Sequence, residues 1–199
     1  MSVDQDAPPV RKLRADGARN RERLMEAAKA AFTETGPGVS LDEIARRAGV
    51  GIGTLYRHFP VRDALVEAVY RREVEQLTDA APRLLETLRP GDALHEWMRQ
   101  LIAYIAAKKV IVAALESGAD GASSLYASSG SRITDALNLL VERARSGGDI
   151  RADADPADLL RAMIGFSYGA AGPGWEASAL RLTDILMDGL RLPARGERA

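Results

Sequence analysis

The sequence predicts an all-α protein: a three-helix N-terminal head, then a helical core of about six helices, about nine in total. Three observations predict it. Apolar residues recur at i, i+3, i+4 and i+7 through most of the chain, and no run alternates apolar and polar as a half-buried strand would. The 199 residues are 46% hydrophobic but only 5% aromatic, so the core must be largely aliphatic and alanine-rich, which favours helices. Glycine and proline fall between the periodic stretches, at Gly36-Pro37-Gly38, Pro90-Gly91, Gly147-Gly148 and Gly172-Pro173-Gly174.

Residues 1–15 read as a flexible arm, with Pro8, Pro9 and acids followed by Arg11, Lys12 and Arg14. Such an arm is either a solvated tail or a contact to the minor groove or phosphates of DNA. The head is expected over 16–62. Its first helix should run from about Ala18 to Thr35, with Leu24, Ala27, Ala28, Ala31 and Phe32 inward. Arg19, Arg21 and Arg23 would then crowd its first turns, against the helix macrodipole.

The second helix should begin at Leu41, because Ser40 and Glu43 form an S-x-x-E capping box. Leu41, Ile44, Ala45 and Ala48 make its apolar stripe, and Gly49 stands where a helix ends in a left-handed residue. A third helix from about Gly51 to His58 keeps Val50, Leu55 and Phe59 inward and stops at Pro60. Two short helices joined by a tight glycine turn form the helix-turn-helix pattern, although a helical hairpin that only packs has the same spacing. Gly51 and Gly53 cost roughly 1 kcal/mol each relative to alanine inside a helix. What they offer is room for close approach of the backbone to a surface. Thr54, Tyr56, Arg57 and His58 offer groups suited to phosphates, and Arg57 can also read guanine.

A fourth helix should run from Arg62 to about Leu88 and is the one element long enough to link the two expected parts, 16–62 and 63–192. Beyond Pro90-Gly91, helices are expected after an Asp92 cap, through a short apolar piece at Val110–Glu116, and from Ser131 to Arg145. The eighth starts at Pro156 after the Asp155 cap, and the ninth spans Trp175–Leu190. Residues 193–199 read as a tail.

The stretch Gly49–Tyr70, GVGIGTLYRHFPVRDALVEAVY, resembles the signature of the tetracycline-repressor (TetR) family of bacterial transcriptional regulators. Thr54, Leu55, Tyr56, His58, Phe59, Arg62 and Leu65 carry the resemblance, which extends upstream to about residue 18. The family usually has Lys where this chain has Arg62. The resemblance implies that Thr54, Tyr56, Arg62 and the start of the third helix grip phosphates, and that Gly51, Ile52 and Arg57 read bases. Ser40, Gly53 and His58 complete the expected DNA-binding set.

Charge agrees with this division. From Val10 to Arg62 there are 11 Lys/Arg against 6 Asp/Glu, and from Glu73 to Ala199 there are 14 against 18. A basic head on an acidic remainder is the electrostatic footprint of nucleic-acid binding. Other functions find little support. Cysteine is absent and there are 2 histidines, so neither a disulfide framework nor a dedicated transition-metal site is expected. No apolar run approaches the roughly 20 residues of a membrane span. The N-terminus, with Asp4 and Asp6, lacks a signal peptide's apolar core. A cytoplasmic regulator without a cofactor is expected. Gly165-Phe166-Ser167-Tyr168-Gly169 matches a nucleophile elbow, but it lies in a helical pattern with no downstream histidine. A helical hydrolase using Ser167, Tyr168 or Glu116 is the alternative from another class.

The resemblance further implies a repressor of a palindromic operator, released by an apolar or amphipathic ligand. An activator or a non-inducible regulator is the alternative on the same fold. Trp97, Leu101, Tyr104, Tyr126 and Phe166 are the candidate pocket residues, with core packing as the competing reading. The ninth helix carries Leu180, Ile185, Leu186, Met187 and Leu190 around most of its circumference. One side is therefore expected to meet a second copy, and the eighth and ninth helices to form a homodimer.

Overall fold

The computed structural model describes residues 10–115, 118–169, 172 and 174–192, with side chains described outside 10–14 and 118–128. Of the arm expected over residues 1–15, residues 1–9 lie outside the described residues, as do Glu116 and the tail at 193–199, and residues 10–15 belong to a helix. Among the described residues the chain forms eight helices and no strand. They are α1 (Val10–Thr35), α2 (Leu41–Ala48), α3 (Ile52–His58), α4 (Arg62–Thr87), α5 (Pro90–Ala113), α6 (Gly118–Ser146), α7 (Pro156–Tyr168) and α8 (Trp175–Leu190).

Contacts divide the chain into two units, one of Met1–Val69 with Val110–Gly118, the other of Tyr70–Lys109 with Ala119–Ala199. The division thus falls inside α4 and inside α5.

In the first unit, α1 packs on α2 and α3, and α2 on α3. Leu24, Ala28, Ala31 and Phe32 of α1 meet a core that also holds Ile44, Leu55, Phe59 and Leu65, each essentially inaccessible to water. Burying a side chain of the size of Leu or Phe stabilises the fold by about 1.5–3 kcal/mol. The second helix is capped as its sequence demands. Ser40 Oγ accepts from Glu43 N at 3.2 Å, and Gly49 ends the helix at φ 66 with its N–H turned to Ala45 and Arg46 carbonyls. A Cβ at Gly49 would stand 2.6 Å from Arg23 Nη2, the movable end of a flexible side chain, so it is the left-handed backbone that demands glycine. The capping box closes only on one side: the Glu43 carboxylate turns to Arg46 and Arg47 instead.

In the second unit, α7 packs on α8. Trp97 of α5 donates from Nε1 to the Leu77 carbonyl of α4 at 2.8 Å. Asp149, after α6, accepts from Arg89 at 2.6 Å and from Gly91 N at 2.8 Å, tying the start of α5 to the α6–α7 connection. Asp184 of α8 meets His95 Nε2 at 2.8 Å and Arg99 at 2.7 Å, both on α5. These contacts hold its carboxyl below the usual carboxylate range, the His95 hydrogen bond being the larger cause.

Several element expectations need correction. Among the described residues the helices number eight because Val110–Ala113, the start of the expected short piece at Val110–Glu116, is the end of α5, which continues through Lys108 and Lys109. α5 begins at Pro90, not after Asp92, and α6 begins at Gly118, well before Ser131. α1 begins at Val10, so Arg19, Arg21 and Arg23 lie beyond its first two turns and do not meet the positive end of the macrodipole. They have structural roles instead. Arg21 sits 5.2 Å over the Phe59 ring, Arg23 lies against Gly49, and Arg19 pairs with Asp16.

Candidate nucleic-acid interface and core cavity

The third helix turns Leu55 fully inward and leaves Tyr56 48% exposed, with Arg57 outside beside it. Gly51 is its N-cap, with φ −70, and Ile52 is the first helical residue, half-buried. Neither Gly51 nor Gly53 has any other atom within 4 Å of the place a Cβ would take. The chain's own packing therefore does not require glycine at either position. Arg57 lies back along its helix, donating from Nε to Gly53 O and from Nη2 to Thr54 Oγ1, both at 3.2 Å. His58 is half-buried, its ring 6.3 Å from that of Phe59. Ser40 remains exposed while it caps α2.

On α2, Glu43 bonds Arg46 at 2.7 and 2.8 Å and Arg47 at 2.8 Å, and Arg47 also reaches Glu34 at 2.7 Å. The Arg46 hydrogen bonds, then those of Arg47, pull the Glu43 carboxyl down to about 2. Both arginines are thus paired with carboxylates of their own unit.

Arg62, expected to contact a phosphate, has a set of partners within the chain itself. Its guanidinium donates from Nε to Ala114 O at 3.1 Å and from Nη1 to Val39 O at 2.8 Å, and Nη2 bonds Pro37 O. It also stacks 5.5 Å over the Phe32 ring. One planar fork thus ties the start of α4 to the α1–α2 connection and to the end of α5. A lysine, with one compact ammonium, does not span three carbonyls in this way. This is a structural reason for arginine where the resemblance led one to expect lysine.

The second unit holds a half-open cavity of about 220 Å³. One face of α5 supplies Leu101, Tyr104, Ile105 and Lys108. Ser129, Gly130 and Ile133 come from α6, Leu160, Ile164 and Tyr168 from α7, and Tyr70 from α4. The hydroxyls of Tyr104 and Tyr70 lie 3.1 Å apart. Half-buried Lys108 has its ammonium pKa held below the ordinary lysine range by that burial.

Of the expected pocket residues, Leu101 and Tyr104 line this cavity. Trp97 does not: it is fully buried against α4, its indole nitrogen satisfied by Leu77. Phe166 is not on the lining either. Tyr126 is on α6, but its side chain lies outside the described residues. Lys108, Ile105, Ile133, Leu160 and Ile164 also line the cavity and were not among the expected residues. A usable signal existed on α5, where Leu101, Tyr104, Ile105 and Lys108 stand at i, i+3, i+4 and i+7.

Ser167, the alternative nucleophile, is completely buried within α7 and donates its hydroxyl to Met163 O at 2.8 Å. That is a helix-interior back-bond, not a nucleophile presented at a strand–helix turn. No group of three or more His, Cys, Asp and Glu residues able to hold a metal ion occurs among the described residues, and no described helix is long and apolar enough to cross a membrane.

A basic unit of three short-linked helices, with a capped α2, a glycine turn and a polar outer face on α3, defines a helix-turn-helix DNA-binding protein. Comparison with known proteins makes the class specific. Residues 24–69 match the family described as bacterial regulatory proteins, tetR family, and residues 89–192 match the SbtR-like transcriptional regulator C-terminal domain. A TetR transcriptional regulator of Streptomyces coelicolor is 41% identical, superposes with a TM-score of 0.77, and is covered over 99% of its length by 87% of this chain. A TetR transcription regulatory protein of Mycobacterium vanbaalenii is 38% identical at a TM-score of 0.74, covering 90% of this chain and 99% of its own. An HTH-type transcriptional regulator of Staphylococcus aureus is 39% identical over 64 residues, 32% of this chain and 35% of its own; with such curated relatives the match spans about a third of their length. The chain belongs to the TetR family of transcriptional regulators, and is a DNA-binding regulator whose relatives are regulators, not enzymes.

Proposed function

We propose that this regulator is a homodimeric repressor that grips a palindromic operator and is released by a small amphipathic ligand. The observation that carries DNA docking is the outer face of α3: Tyr56 and Arg57 stand out opposite a fully buried Leu55, beside two glycines that the chain's own packing does not require. Bare backbone at Gly51 and Gly53 lets α3 approach DNA closely. Thr54 and Tyr56 then reach phosphates, and Arg57 exchanges its two weak intrahelical contacts for a base edge. Ser40 and His58 flank this surface, and Ile52 meets a base edge or methyl group.

Dimerisation through α7 and α8 is supported by what those helices leave uncovered. Ile185 is 66% exposed, Tyr168 57%, Ile164 46% and Leu182 38%. Apolar groups gathered on two packed helices mark an association surface, and a two-fold axis makes it self-complementary. The ligand reading rests on the cavity of about 220 Å³, whose apolar walls carry a few hydroxyls and one cation. Selection of bound fragments from random duplex DNA tests the whole reading: an inverted repeat is expected, and failure to enrich any sequence would overturn it. An activator on the same fold would enrich the same kind of site, and a reporter with and without the regulator separates the two.

A further inference from the structure

We propose that Arg62 is the positioning residue that couples α5 to the DNA-binding helices, so that the state of the cavity reaches α2 and α3 through one guanidinium. This deepens the ligand-release reading and rests on it. α5 carries four lining residues of the cavity, Leu101, Tyr104, Ile105 and Lys108. The same helix continues to Ala113, and the next residue, Ala114, gives its carbonyl to Arg62 Nε at 3.1 Å. The step from Lys108 to Ala114 is about 9 Å at the helical rise per residue, and no glycine or proline interrupts it.

This last stretch of α5 is gripped at both ends. Within the second unit, Lys109 donates to Ser167 O at 2.7 Å. Its ammonium lies 3.6 Å from the centre of the Trp175 ring and 4.5 Å from that of Tyr168. Tyr168 also lines the cavity, so a ligand that moves its ring acts on Lys109 directly. Within the first unit, the Ala114 carbonyl stands at the C-terminal end of α5, where the helix dipole favours a cation. Ile111 and Ala114 are buried, so this end is packed. The same guanidinium holds Val39 O through Nη1 at 2.8 Å and Pro37 O through Nη2, in the connection that leads into the Ser40 cap of α2. A hydrogen bond of 3.1 Å is lost if its acceptor withdraws by more than about 0.5 Å. A shift of α5 therefore either pulls Arg62 and the α2 connection along or breaks the fork.

The experiment follows amide hydrogen exchange of the full chain with and without the duplex recovered by selection. The duplex is saturating, so that differences in affinity do not enter. The parent is compared with Arg62→Lys, Arg62→Met and Ala113→Gly, each checked for an unchanged helical spectrum. In the parent, operator binding is expected to slow exchange at residues 104–108 and 110–115 by about fivefold or more, the low end of an allosteric coupling. Arg62→Lys and Arg62→Met should both remove the slowing along α5 while that of α2 and α3 remains, because neither side chain spans three carbonyls. Ala113→Gly leaves Arg62 in place and softens α5 between its two grips, so the slowing at residues 104–108 should be lost. A slowing of α5 that Arg62→Lys leaves at its parental size would overturn the proposal. A phosphate contact keeps its cation in that variant, and a signal along α4 does not need Arg62, so ligand release would stand by another route. If the parent itself shows no slowing beyond α1–α4, the proposal and the ligand-release reading fail together.

Discussion

Three carbonyl oxygens from two separate stretches of chain, Pro37, Val39 and Ala114, converge on the Arg62 guanidinium. Arg62→Ala should therefore lower the stability of the first unit by about 2 kcal/mol, because bonds to a charged donor are lost and partly buried acceptors are left behind. Arg62→Lys should fall between the two, since an ammonium cannot reproduce the fork. Denaturant unfolding measures this. Unchanged unfolding, combined with a salt dependence of DNA binding lower by about one unit per half-site, would return Arg62 to a phosphate role. Tyr56 and Arg57 are the contrast. Tyr56→Phe should change folding by less than about 1 kcal/mol and weaken DNA binding on all sequences alike. Arg57→Ala should cost about 1–3 kcal/mol on the preferred sequence and relax discrimination there. Binding isotherms on selected and scrambled duplexes separate these outcomes, and equal losses on both duplexes for Arg57→Ala would remove it from base reading.

At the scale of the helix, α2 shows how charge and capping act together. Glu43 has its folded-state pKa lowered from 4.5 to about 2 by Arg46 and Arg47. A carboxyl depressed on folding contributes stability that is fully present above pH 4.5 and is lost as pH falls through about 2. Glu43→Gln should thus unfold at a lower temperature than the parent at neutral pH, and the difference should close as pH is lowered towards 2. Thermal melts in steps of pH read this directly; a difference that stays constant would mean the arginine pairing adds nothing to folding. α4 holds the opposite kind of feature. Pro82 lies inside it, exposed, removing an amide donor where a helix interior normally needs one. Pro82→Ala should raise stability, by up to about 3 kcal/mol on helix propensity alone. A destabilised variant would show that α4 requires the proline.

For the whole molecule, the uncovered apolar groups of α7 and α8 set the expectation. The parent chain should sediment as a dimer at micromolar concentration. Ile185→Glu, on the most exposed of these residues, should shift it towards monomer and weaken operator binding with it, because a two-half-site contact needs two heads. A monomeric parent would remove the dimer proposal. Release by ligand imposes a reciprocal constraint. A ligand that weakens DNA binding must itself bind more weakly to the DNA-bound protein, by the same factor. Equal affinity for free and DNA-bound protein would exclude ligand-driven release.

The sequence by itself determined what depends on local chemistry. Ser40 and Gly49 bound α2, Asp155-Pro156 starts α7, and the outer and inner faces of α3 follow from Leu55 and Phe59 against Tyr56 and Arg57. Caps, helical period and the Gly49–Tyr70 pattern act over a few residues, so they can be read without knowing the fold. Tertiary structure alone decided the rest. Lys108 and Lys109 look like a break between two apolar runs. α5 passes through them because no glycine or proline stops it, and because Lys109 finds Ser167 O at 2.7 Å and the Trp175 ring at 3.6 Å. Trp97 looks like a pocket aromatic until its nitrogen is seen to bond a carbonyl 20 residues away. Nothing near Arg62 in the sequence shows that its Nε donor meets a carbonyl 52 residues on. A side chain's type fixes what it can bond, but only the distant segment packed against it determines which partner it has.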